Sequence, residues 1–592
     1  MIHFRLAFRV HLSAVAALCL AMGANAALSE QPINSPILAL EELQAGMQGE
    51  VWTVFRGTEP EAFSVEVTGV IQNALGPGKS MILCELTDER VQHMGAVAGM
   101  SGSPLYIDGR FAGALSYQVQ RFETVRFAGF TPAEDLLEVR RIADNSDRSS
   151  PSGPLPVGTK ATNLDSRNDG LTSLSPVFSI GGLAPQVAEL MAQPLAELGI
   201  ATTTLGGSLD TSGDTHSGEP IQLTAGQAVG AALAIGDITM AGTGTVSRVD
   251  GTRVLAFGHP LLGLGEVEMP MTAAEIVTIL PSNMSSVKIS NTGAVIGTVR
   301  QDRLSAIYGE LGEGPVMIPV TVHTPYRTLE FSTVRHPQIT PMITAMGLSQ
   351  AVLGSNDSGL VAGFSVEARI DFSDGEKLIM EQLYAGPNSF RDGLNGLTRD
   401  LSTWLQNPVE EAFPERVVFS VSELPVNPTT SLDNVRLSHR SARPGESVSV
   451  TLSLRNFQSQ PWAASIDIPI QPDWVGKTLE VVITNGPTLD LLTGGQRTYP
   501  VSQIRDFSAY LDVLRAQRAP DGIYVAVLTP TEVFLDQTGT TLELPGSLAR
   551  ISGGADEARF TQRKIREVLW ESHLLDDRLV PGLVRRPLVV TD

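Results

Sequence analysis

The stretch Gly99-Met100-Ser101-Gly102-Ser103-Pro104-Leu105-Tyr106-Ile107-Asp108-Gly109-Arg110-Phe111-Ala112 decides the reading of this chain. Asp108-Gly109 between two apolar runs predicts a hairpin with a two-residue primed turn. The strands of that hairpin follow directly on a serine flanked by glycines. Glycine frees the backbone to turn sharply, so Ser101 is expected to project its hydroxyl from a tight turn between strands. In such a turn the N–H groups of Gly99 and Ser101 can converge on one point, as an oxyanion hole requires. The bland alternative is a Gly/Ser-rich hairpin loop.

Working outward, the neighbouring sequence is that of short strands. Glu50–Phe55 and Phe63–Val67 alternate and are rich in β-branched and aromatic residues. Thr131-Pro132-Ala133-Glu134 combines a capping box with a proline at the first helical position, predicting a helix to about Ile142. A helix is expected at Pro185–Leu198. A short helix capped at Thr272, with Glu275 three residues on, is expected to interrupt the strands of residues 221–322. More strands and a helix near Asp392–Leu405 are expected in residues 323–415. Ser447–Leu452 alternates cleanly after Pro444-Gly445 and suggests a small β-sandwich over residues 416–500. Residues 144–172 and Thr204–Pro220 are polar and rich in glycine, and read as a linker and a loop.

The chain has 592 residues with 42 Lys+Arg against 64 Asp+Glu, a net charge of −22. That balance and the lack of a concentrated basic patch exclude nucleic acid as the expected partner. A hydrophobic share of 42% excludes a disordered chain. Met1–Ala26 reads as a secretory signal peptide, with Arg5 and Arg9 before the apolar run Leu12–Met22 and Ala24-Asn25-Ala26 as the cleavage site. No later run suits a stable membrane span. Only Cys84 then remains, in the apolar run Met81–Cys84, so it is expected buried and no disulfide is expected. One mature cysteine and the absence of a His-Glu-x-x-His pair point to no metal and no cofactor.

A serine nucleophile needs a base held in orientation. His259 stands apart from the other histidines, at the end of the apolar stretch Val254-Leu255-Ala256-Phe257-Gly258-His259-Pro260. Two blocks resemble the SpoIVB-type sporulation serine peptidases and the secreted proteins that share their peptidase domain. One runs from Leu86-Thr87-Asp88 through Gly99–Pro104 to Ala114; the other from Gly242-Thr243-Gly244-Thr245-Val246 to Phe257-Gly258-His259. The resemblance implies a mainly β, chymotrypsin-like double β-barrel. It implies Ser101 as nucleophile, His259 as general base and Asp88 as orienting acid, with Glu85 and Asp302 as alternatives to Asp88. The order is permuted, because the histidine follows the serine here. Met100 occupies the position where many trypsin-like proteases carry an aspartate that pairs with a newly cut N-terminus, so that activation device is not expected.

The expected organisation is thus a signal peptide at 1–26, a Ser-bearing peptidase half at 27–143, a linker at 144–172 and a His-bearing half at 173–322. A β-rich extension at 323–415, a β-sandwich at 416–500 and a mixed C-terminal region at 501–592 follow. The expected partner is a protein or peptide substrate in the bacterial cell envelope, in a secreted or periplasmic setting. The alternative is a non-catalytic envelope scaffold built on a peptidase-like barrel.

Overall fold

The computed structural model describes residues 31–591 apart from 33–34, 120–124, 147–170, 175, 201, 209–221, 283–285, 355–361, 406–412, 494–505, 537–538 and 543–560. The expected signal peptide, most of the linker and most of the Thr204–Pro220 loop lie outside the described residues.

The first six strands close on themselves. They are β1 (Gln48–Thr53), β2 (Glu61–Gly76), β3 (Lys79–Leu86), β4 (Pro104–Ile107), β5 (Arg110–Val119) and β6 (Phe127–Pro132). Antiparallel pairing runs β4-β1-β2-β3-β6-β5, and β5 returns to β4. The closed ring leaves no free edge, and alternate residues point inward to a core that includes Val51, Phe63, Val65, Ile82, Cys84, Leu105 and Phe130. Asp108 and Gly109 both have positive φ (49° and 74°), the signature of the expected primed turn. Cys84 is buried and free, and burial pushes its thiol up to about 12.

Short strands β7 (Leu171–Ser173), β8 (Val177–Gly181), β9 (Thr202–Leu205) and β10 (Gly207–Ser208) lead to a second ring. It consists of β11 (Ala228–Gly236), β12 (Thr239–Asp250), β13 (Arg253–Ala256), β14 (Gly265–Leu280), β15 (Val287–Arg303) and β16 (Ala306–Leu311). Their order is β11-β14-β15-β16-β13-β12, closed by the β11–β12 pairing. The expected double β-barrel is therefore present, with the serine half first.

The helix expected at Thr272 is not formed. Thr272 pairs with Gly230 on one side and Val295 on the other, inside the continuous strand β14. Val267, Ile276, Val277, Thr278 and Ile279 make this a β-branched segment, and ladder bonds to two neighbours outweigh a local cap. In residues 323–415 the expected helix runs over Pro387–Leu405, and a second one, Ile339–Leu353, was not anticipated. All of its residues are buried, so it has no polar face and no 3.6-residue alternation to betray it.

The β-sandwich has different limits from those expected. Pro414–Glu423 pairs with Phe364–Phe372 and Ile318–His323, and so extends the sheet of the second barrel. The sandwich itself packs Thr430–Leu437, Ser447–Asn456 and Pro461–Pro469 against Leu479–Thr484, Ile523–Asp536, Thr561–Leu574 and Leu583–Val590. Val448, Val450, Leu452 and Leu454 meet Val481, Ile483, Val525, Val527 and Leu588 between the sheets. Most of its second sheet, Ile523–Asp536, Thr561–Leu574 and Leu583–Val590, thus comes from the region expected to be separate.

Candidate active site between the barrels

The serine turn of the first barrel and the histidine turn of the second are in direct contact. Ser101 follows the helix Glu89–Met94 and precedes β4; its carbonyl accepts the Thr245 N–H at 2.8 Å. The Thr245 hydroxyl donates to the Gly99 carbonyl at 3.1 Å, and the Ser247 hydroxyl to the Gly102 carbonyl at 2.8 Å. Gly102 is required by this approach. A Cβ there would lie 2.0 Å from the Thr245 carbonyl oxygen and 2.4 Å from the Phe257 nitrogen, and φ is +95°.

His259 leaves β13 through a strained turn. Phe257 has φ of 72°, an uncommon conformation for a bulky residue, and Gly258 has φ of 67°. Two features hold the turn. Gly244 lies under the Phe257 ring, where a Cβ would be 2.8 Å from ring carbons. The Thr131 hydroxyl of the first barrel donates to the Gly258 carbonyl at 2.7 Å. The two motifs that stood apart in the sequence, Gly242–Val246 and Phe257–His259, are therefore one packing unit.

The imidazole of His259 is fully buried. Its Nδ1 lies 2.7 Å from the Pro260 carbonyl, which can only accept, so Nδ1 carries the proton and Nε2 presents a lone pair. Burial lowers the imidazole to about 4, against a smaller upward pull from the Pro260 bond, and keeps it neutral at pH 7. Among the described residues Nε2 has no hydrogen-bond partner, and neither has the buried Ser101 Oγ. The amides of Gly99 and Ser101 also donate to no acceptor among the described residues. Buried polar groups are ordinarily satisfied, so four such orphans on two touching turns mark a place built to receive something.

Asp88 does not meet the expectation of an orienting acid. Its carboxylate caps the Glu89–Met94 helix through the Arg90 N–H and pairs with the Arg90 guanidinium at 3.1 Å. Burial works against its ionisation, but the Arg90 bonds and charge outweigh it and hold the carboxyl below its usual value. Thr87-Asp88 is a helix-start signal, which explains the residue without catalysis. Glu85 lies on β3 opposite Glu66. Asp302 is the carboxylate tied to the histidine, and indirectly so. It is buried and accepts the N–H groups of Leu261, Leu262 and Leu264 at 2.7, 2.9 and 3.1 Å. Burial pushes its carboxyl up, against the pull of those amides and that of Gly263. It pins the loop whose first carbonyl, that of Pro260, holds the imidazole.

Lys288 escaped the sequence reading. It is 1% exposed on β15, with its amine 2.9 Å from the Thr53 hydroxyl of the first barrel. The only sign in the sequence is that Lys288, Ser290 and Thr292 alternate along one strand; the structure buries all three. Met100 is fully buried.

Two closed six-stranded barrels, with a glycine-flanked serine and a neutral histidine on touching turns, make this a mainly β, double-barrel fold. Residues 22–123 match the family described as SpoIVB peptidase S55, so the barrel that carries the serine bears the sequence pattern of that peptidase domain. No curated protein and no solved structure matches the chain. Among the described residues no helix is long and apolar enough to cross a membrane.

Proposed function

We propose that this chain is a serine endopeptidase that cleaves a protein substrate in the cell envelope. Ser101 Oγ attacks the scissile carbonyl carbon. Its proton passes to Nε2 of His259, and the carbonyl electron pair moves to the oxygen, which the Gly99 and Ser101 amides receive. The imidazolium then returns the proton to the leaving amine as the acyl–enzyme forms, and water releases the acyl group by the same route. The Pro260 carbonyl takes the orienting part that a carboxylate fills elsewhere. Asp302 positions it by fixing the loop.

The observation that carries this reading is the set of four unbonded polar groups, Ser101 Oγ, His259 Nε2 and the two amides, on turns in backbone contact. The test is cleavage of an unfolded protein or of the chain itself, with new N-termini mapped by mass spectrometry. Wild type should yield specific cuts, and Ser101→Ala and His259→Ala none. Equal cutting by Ser101→Ala would defeat the proposal.

The burial of Ser101 and His259 favours one second reading, an envelope scaffold whose site is permanently closed. That reading expects no cut from any variant on any substrate.

A further inference from the structure

Lys288 is the one fully buried cation among the described residues that no carboxylate neutralises. Its backbone and its stem both meet the serine turn. Its backbone N–H donates to the Ala98 carbonyl at 3.0 Å, one residue before Gly99. Its methylene stem lies against Gly99, where a Cβ would stand 3.0 to 3.3 Å from its Cβ, Cδ and Cγ. Gly99, with φ of +96°, is thus fixed from below by lysine methylenes and from the side by the Thr245 hydroxyl on its carbonyl. The amine reaches past the turn to Thr53 at the end of β1, so one side chain of the second barrel fastens two parts of the first.

A buried ammonium with a single neutral partner is costly. Desolvation is the only influence on this amine and brings it down to about 7. The groups packed against it, Thr53, Ala98, Gly99 and Ile279 opposite it on β14, hold no titratable side chain. An apolar residue would fill the same space at lower cost, so the amine needs a reason to be there. Negative charge arising at the Gly99 and Ser101 amides supplies one. An ammonium on the side chain that packs against Gly99 is attracted to that charge as it forms, and a low-dielectric interior transmits the attraction.

We propose that Lys288 is a positioning residue for the oxyanion pocket: its stem holds Gly99, its amine ties that turn to Thr53, and its charge backs the negative oxygen formed during attack by Ser101. This rests on the peptidase reading. The bonds made and broken are those of the Ser101 attack; Lys288 transfers no proton.

The experiment uses the full chain and a fluorophosphonate probe, whose phosphoryl oxygen makes the same demand on the pocket as an acyl oxygen. The rate of Ser101 modification is followed from pH 5 to 10 in wild type, Ser101→Ala and Lys288→Met. Methionine keeps an unbranched apolar stem and removes the amine. Lys288→Met is expected to react about tenfold more slowly or worse at pH 6, scaled from the loss of an oxyanion contact. It should also lack the decline in rate that wild type shows on passing above about pH 7. A purely structural lysine would leave the pH profile of the variant parallel to that of wild type. Should Lys288→Met fail to fold, Thr53→Val replaces it: loss of the acceptor should move the alkaline decline to lower pH. A variant with the wild-type rate and profile overturns the inference alone. A wild type that is no more reactive than Ser101→Ala overturns the peptidase reading and this inference with it.

Discussion

At the scale of single residues the account rests on His259 being a neutral imidazole with a directed lone pair. A histidine held at about 4 in the fold and near 6.5 when unfolded binds fewer protons folded than unfolded between those values. Its contribution to stability is therefore complete above about pH 6.5 and is lost as pH falls toward 4. Urea titrations from pH 4 to 7 should show stability rising with pH, and His259→Gln should flatten that part of the slope. The proposed catalysis is expected to have the same sign: with His259 as a neutral base, activity should stay constant down to about pH 5, with an acid limb near 4. Asp302 acts at one remove. Asp302→Asn keeps one acceptor oxygen for amides that now share two, and is expected to lower kcat by about tenfold with little change in KM. A KM effect alone would place Asp302 in substrate binding instead.

At the scale of elements, two turns carry the proposed site. Gly102→Ala sets a methyl group against the Thr245 and Phe257 backbones at a positive φ, and neither backbone can yield without parting the barrels. A loss of more than about 3 kcal/mol of unfolding free energy is expected from denaturant curves. Gly244→Ala meets the Phe257 ring and should disturb the His259 turn with a smaller stability loss, because a ring can shift where a backbone cannot.

The serine turn and its hairpin were legible in the sequence because glycine spacing and an Asp-Gly turn are local signals. The histidine was legible through its framing by Gly258 and Pro260, and the double barrel through the resemblance. Three things were not. Asp88 carried a motif match, but a Thr-Asp pair before a helix serves as a cap whatever its family position. Lys288 acts on Ala98, Gly99 and Thr53 of the other barrel, a relation that no spacing encodes, whereas Asp302 stood among the candidate acids from the start. The helix over Ile339–Leu353 is apolar on every side, and periodicity has nothing to report for a helix without a polar face.

At the scale of the whole molecule the C-terminal sandwich is not a detached appendage. The helix Phe507–Arg515 leaves it to lie on the core of the second barrel's extended sheet. Phe507 meets Phe372 edge-on with ring centroids 4.8 Å apart, and Arg515 pairs with Glu376 at 2.5 Å. Phe507→Ala should cost about 3 kcal/mol of stability through the cavity it opens. It should leave the probe reaction of Ser101 unchanged, because this helix meets Phe372, Glu376 and the strand Lys377–Tyr384 and not the serine turn. Truncation after residue 425 would remove this helix as well as the sandwich, and should expose Phe372 and lower Tm.

The central claim is that Ser101 and His259 act as one unit across the two barrels. The most direct measurement is the site and rate of covalent modification by a fluorophosphonate, read by peptide mass spectrometry. The account predicts an adduct on Ser101 alone, absent from Ser101→Ala and formed at least about a hundredfold more slowly in His259→Ala. An adduct that forms at equal rates in wild type and His259→Ala would contradict it.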